Sequence, residues 1–284
     1  MTIVLLASLL FAADPPPAAG DTDKARQEEV ARLAPAKAKL LDVLVGDESP
    51  AKADLVKEPL LRWSNPTAGS VYGEVFLWTV DRRPAAIASI YRWYHPFKDS
   101  TVEFVSVTEQ PVEAKEQLRS QWKTTTPGTR FAELNGVPAP AESARTRLSQ
   151  MRSLAREFTT ELADKRGGDE VIRELRLLDQ PAYRYECPSQ RIIDGGLFAF
   201  VEGTDPEAWL LIEAVETTGG RQWRFALARM NIDALRVRRG ESIVQEWKAL
   251  REAWSDRTRP YVMFNFDPDK ALPKSAQLQP QESP

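Results

Sequence analysis

The run SVYGEVFLWTVDRRPAAIASIYRWY, residues 70–94, constrains the fold more than any other stretch of the chain. Tyr72, Glu74, Phe76 and Trp78 alternate with Val71, Gly73, Val75 and Leu77, a period of two that suits a strand and not a helix. DRRP is a turn signal, and AAIASIYRWY resumes the apolar pattern, so the two runs predict a hairpin. TVEFVSVTE follows after HPFKDS and extends the hairpin to an antiparallel meander.

The same texture returns beyond residue 170. VIRELRLL, AYRYE, GLFAFVE, AWLLIEAVE and RQWRFALARM are separated by DQP, GTDPE and TTGG, each a short turn and none a helical crossover. ALRVRR and SIVQEW close the series around Gly240. Between the two strand regions, residues 142–163 place Leu148, Met151, Leu154, Phe158 and Leu162 on one helical face. PAPAES supplies a stop and a cap before this segment, and DKRGGD supplies glycines after it. Residues 22–45 also read as helical, with Pro35 dividing them into two short pieces.

These elements predict an α+β protein: antiparallel β-sheet with one long amphipathic helix packed on a face, and a short helical N-terminal segment. The expected organisation is a signal peptide over 1–13, a Pro-rich linker and helical segment over 14–58, a single domain over 59–250 and a disordered tail over 267–284. No repeat of fixed period is visible.

Composition narrows the function. A net charge of -3 gives no field for nucleic acid, and one cysteine, Cys187, excludes an internal disulfide framework. MTIVLLASLLFAA has signal-peptide length and is too short to span a bilayer, which predicts a periplasmic or extracellular protein with no transmembrane span. With a single histidine and a single cysteine the chain offers no typical zinc or redox-metal set, and no phosphate-binding glycine loop occurs, so neither metal nor cofactor is expected.

For catalysis, G-x-S-x-G is absent, and the two S-x-x-K matches, at Ser49 and Ser120, lack their companion elements. No catalytic residue is assigned on this basis. A carboxylate pair is the alternative, because Glu74, Glu103, Glu202 and Glu213 lie in expected strands and need no fixed spacing to act together. Arg92, Arg176, Arg184, Arg224 and Arg229 can pair those acids across strands, and that arrangement is the simpler expectation.

The segments LLRWSNPTAGSVYGEVFLWT, RPAAIASIYRW, RLSQMRSLAREF, RELRLLDQPAYRYE and DGGLFAFVEGTDPEAWLLIEA together resemble a family of exported proteins from planctomycete bacteria, over about residues 60–248. The resemblance implies an extracytoplasmic setting and one conserved unit. It implies no activity, ligand or cofactor.

The sequence therefore predicts a non-catalytic binding or interaction module with a protein or glycan partner, with a carboxylate-dependent hydrolase of polysaccharide or peptidoglycan as the alternative. The expected binding residues are Trp78, Arg92, Trp93 and His95, where mixed polar and aromatic groups gather toward a strand end.

Overall fold

The computed structural model describes residues 19–165 and 168–272, so the expected signal peptide and most of the expected tail lie outside the described residues. Helix α1 (Ala19–Lys39) leads into β1 (Leu41–Val45) and the short strands β2 (Ala51–Lys52) and β3 (Asp54–Leu55). Then come β4 (Leu61–Ser64), the long strands β5 (Ser70–Val80) and β6 (Arg83–His95), β7 (Ser100–Ser106), and the hairpin β8 (Val112–Glu116) and β9 (Arg119–Lys123). β10 (Ala132–Glu133) precedes α2 (Ala144–Ala155), β11 (Phe158–Asp164), β12 (Val171–Leu177) and β13 (Tyr183–Cys187). The long strands β14 (Ile192–Glu202), β15 (Asp205–Thr217) and β16 (Gly220–Arg229) follow, then the hairpin β17 (Ala234–Arg239) and β18 (Ser242–Trp247). β19 (Tyr261–Phe266) and the single turn α3 (Pro268–Ala271) complete the described chain.

The fold class differs from the expected one. The molecule is mostly β, 51% strand against 16% helix, in three antiparallel sheets, one of them curled as a half-barrel. The expected long helix over 142–163 stops at Ala155, and Phe158–Asp164 is strand β11. Leu154, Phe158 and Leu162 satisfy a helical spacing, but Phe158, Thr160 and Leu162 equally satisfy a two-residue period, and all three are buried. Strand geometry wins because β11 pairs with both β12 and β17 and joins them into one sheet. At the N-terminus α1 runs unbroken through Pro35. The carbonyl left without its N–H partner belongs to Ala31, on the exposed side where water can serve it. No helix among the described residues is long and apolar enough to cross a membrane.

Although the sequence shows no periodic repeat, the strand topology is stated twice. β1 pairs with β2 and β8 as β11 pairs with β12 and β17. β5, β6 and β7 form a meander as β14, β15 and β16 do. The first meander carries a bulge after Trp78 and the second after Phe200, and the hairpins β8–β9 and β17–β18 are bulged after Ala114 and Val237. β4 lays Trp63 opposite Gly73 on β5, and β13 lays Tyr185 opposite Gly195 on β14. In both places the ring occupies the space where a Cβ would stand, so glycine is required for close approach and not for a turn. In each half a helix packs on the meander face turned away from the other half, α1 in the first and α2 in the second. In the second half β12 links β11 to β14, whereas in the first half that role is split between β2 and β3, which gives two sheets instead of one.

The halves pack back to back. Val75, Leu77, Ile87, Val105 and Val107 of the first meet Leu197, Ala199, Trp209, Ala228 and Met230 of the second in one buried cluster. By strand register these are corresponding positions, so the interface resembles that of a two-fold dimer built within a single chain. β5 and β15 are consequently buried along nearly their whole length on both faces, and neither meander keeps the open face that one helix on one sheet would leave.

Candidate functional site

Pseudo-symmetry gives the interface two corresponding ends, and they are built differently. At one end Glu213 on β15 is fully buried between arginines. Arg83 donates from Nε at 2.8 Å and Nη2 at 3.2 Å, Arg224 donates from Nε at 2.7 Å, and the Tyr185 hydroxyl donates at 2.8 Å. The Phe131 ring lies against both guanidinium groups, 4.9 Å from Arg83 and 4.5 Å from Arg224. Carboxylate, cations and ring close this end from within.

At the other end a cleft of about 440 Å³ opens. Tyr91 and Trp93 on β6, Phe97 after it, and Tyr261 and Met263 on β19 supply aromatic and thioether wall. Glu103, Asp205, Glu207 and Asp233 supply acid. None of the described residues lining the cleft is Lys, Arg or His. By register Tyr91 corresponds to Glu213, since each stands opposite the close-approach glycine, Gly73 or Gly195. Thr101 likewise corresponds to Arg224, and Asp205 opens β15 as Arg83 opens β6. The residues that seal one end are thus replaced at the other by a phenol, a hydroxyl and an acid.

Glu103 lies deepest in the electrostatics of the cleft. It is 7% exposed and accepts a hydrogen bond from the Tyr261 hydroxyl. Burial pushes its carboxyl up from 4.5 to about 8, and the charge of Glu207 pushes the same way, against the Tyr261 hydrogen bond and the nearby Arg229. Glu207 accepts from Asn231 Nδ2 at 2.6 Å. Arg229 stands 5.5 Å from the Tyr261 ring, with its three arms committed to the carbonyls of Asn231, Lys248 and Asp233 at 2.7–2.8 Å. Asn65 Nδ2 reaches Glu202 at 3.2 Å and Asp205 at 3.3 Å, tying the two halves together at the cleft floor.

No protein-family model matches the chain, and neither a curated protein nor a solved structure does. The geometry of the two ends is therefore the ground for any functional reading.

Of the four expected binding residues, the structure puts one in the cleft. Trp93 lines it, edge to face with Phe97 at 5.3 Å. His95 is exposed at the end of β6. Arg92 turns the other way, to Glu29 of α1 at 3.0 Å and to the Tyr94 ring. Trp78 is 1% exposed in the core between the first meander and α1, against Phe104. Arg92 and Trp93 separate because strand alternation sends neighbouring side chains to opposite faces, whereas His95 stands apart as the exposed last residue of β6. Of the four strand acids, Glu213 and Glu74 take arginine partners from the adjacent strand, Glu202 meets Arg173 at 3.3 Å, and Glu103 accepts from the Tyr261 phenol.

Sequence reasoning missed Tyr261, Met263 and Glu207. The first two sit on β19, where YVMFNF is a short apolar run that carries a strand signal left unread. Asp205 and Glu207 fall in GTDPE, which reads as a turn alone, although its last three residues begin β15.

Proposed function

We propose that the protein is an extracytoplasmic, non-catalytic binding module whose ligand seat is the cleft at the open end of the interface between its halves. The observation that carries this reading is the contrast between corresponding ends: one is closed by the chain's own side chains, and the other keeps an aromatic-walled space of ligand size. Polar groups in the cleft are held by internal donors, Tyr261 on Glu103 and Asn231 on Glu207, which fixes their orientation before any ligand arrives.

A panel of glycans, amines and peptides titrated into the full chain, followed by thermal unfolding, tests it. A ligand that binds the folded form raises Tm, and Ile232→Trp, which fills the cleft from its wall, should abolish the rise. A rise that persists in Ile232→Trp would place the seat elsewhere.

The second reading, a carboxylate-dependent hydrolase, is favoured by one fact: Glu103 holds its proton to about 8 and shares its cleft with Glu207. Turnover of a polysaccharide or peptidoglycan substrate that is lost in both Glu103→Gln and Glu207→Gln would replace the binding reading with this one.

A further inference from the structure

We infer that the cleft receives a flat, uncharged aromatic ring carried by its ligand, seated beside Met263 and Trp93 in the place where the sealed end holds the ring of Phe131. The inference rests on the binding-module reading above and names the ligand class for the same seat.

The match between Met263 and Phe131 is one of register. Glu133 pairs with Arg224 as Asn265 pairs with Thr101, and Phe131 and Met263 each stand two residues earlier in the chain. At the sealed end the Phe131 ring lies against the guanidinium groups of Arg83 and Arg224. Three long or broad side chains therefore fill that end, and at the open end their counterparts are Met263, Asp205 and Thr101. The two arginines give way to short side chains, and the ring gives way to a slender thioether. The missing volume is the cleft, and the missing shape is a ring.

What borders the gap suits such a ring. Trp93 and Phe97 stand at 89° to each other with centroids 5.3 Å apart, a corner of two rings at the mouth that a third can meet by stacking or edge-on. Met263 adds a polarizable sulfur, which makes favourable contacts with aromatic rings, and Val71 and Ile232 extend the apolar wall. The seat asks no charge of its ligand. Three acids of the lining already accept hydrogen bonds within the chain, Glu103 from Tyr261, Glu207 from Asn231 and Asp205 from Asn65, and Arg229 already lies over the Tyr261 ring. An anion would meet these acids with no Lys, Arg or His among the described lining residues to offset them.

Calorimetric titration of the full chain with acetyl-Gly-Phe-Gly amide tests the inference, with the cyclohexylalanine peptide as its saturated counterpart. Benzyl alcohol and cyclohexylmethanol form the matching pair for a free ring, so the two pairs separate a peptide-borne source from a small molecule. The expected result is that the aromatic member of at least one pair binds about fivefold tighter than the saturated one, because contact between rings adds to the burial of area. Met263→Phe should abolish that binding, since it supplies from within the ring that closes the other end, with an unfolding midpoint no lower than that of the natural protein. Should Met263→Phe fold poorly, Trp93→Ala decides, with an expected loss of about tenfold for the aromatic member. Equal or tighter binding of the saturated members, aromatic binding undiminished in a folded Met263→Phe, or an unchanged affinity in Trp93→Ala would overturn the inference. Should a charged or ring-free ligand bind instead and be lost in Ile232→Trp, the ring inference falls and the binding cleft stands. Should no ligand respond to Ile232→Trp, both fall.

Discussion

Both ends of the central interface contain a buried glutamate, but Glu213 is held by two arginines and a tyrosine whereas Glu103 is held by one tyrosine. The first arrangement satisfies a charge and the second tolerates a proton. The same fold can therefore use an interior acid as a fastening or leave it responsive to its surroundings, depending on whether the strand opposite supplies a cation.

The comparison breaks first at Glu213. Glu213→Ala leaves the largely buried Arg83 and the part-buried Arg224 without their shared carboxylate and should cost about 3 kcal/mol in denaturant unfolding. Trp78→Ala, which empties a fully buried site on the meander face turned away from the interface, should cost a similar amount, about 3–5 kcal/mol, and leave ligand binding unaltered. Glu103→Gln should have the opposite sign at alkaline pH. The unfolded carboxyl releases its proton near 4.5 and the folded one near 8, so the folded state binds the extra proton in between and stability of the natural protein falls as pH rises through that window. Stability measured at pH 5 and pH 8.5 should differ by on the order of a few kcal/mol more in the natural protein than in Glu103→Gln. A flat profile in both would show that Glu103 is not a buried, proton-holding acid.

The repeat itself is tested by its glycines. Gly73→Ala and Gly195→Ala each drive a methyl into a ring, Trp63 in one half and Tyr185 in the other, and each should cost about 1–3 kcal/mol. A loss in one half without the other would mean that the halves share topology but not packing. The smallest effect belongs to His95→Ala, expected within about 0.5 kcal/mol by the same unfolding measurement because the side chain is exposed.

How much of this was legible follows from where the information resides. The hairpins could be read because their turns and alternation are local: DRRP between β5 and β6 marks the chain reversal where Asp81 and Arg82 adopt positive φ of 49° and 67°. The repeat could not, because what recurs is register and bulge position, while the side chains differ. Trp63 answers to Tyr185, Tyr91 to Glu213, and the Asp81–Arg82 turn to one carrying Gly203. The segment after Glu157 was ambiguous in itself, since Phe158 and Leu162 suit either period, and only pairing to β12 and β17 selects strand. For the site, Trp93 and Glu103 belonged to sets that residue type and position bring forward. Tyr261 did not, because its meaning comes from lying beside β7, a neighbour remote in the chain.

That neighbour relation governs how the molecule is made. The outer edge of β7 is completed by β19, which is not synthesised until the entire second half has followed. A nascent chain that has emerged through Lys123 owns every other strand of its first half yet presents a bare β7 flank, open to pairing with a stranger. Since Tyr261 is carried on that late strand, Glu103 cannot gain its hydroxyl partner, nor the cleft its Tyr261 and Met263 wall, until the second half has been synthesised.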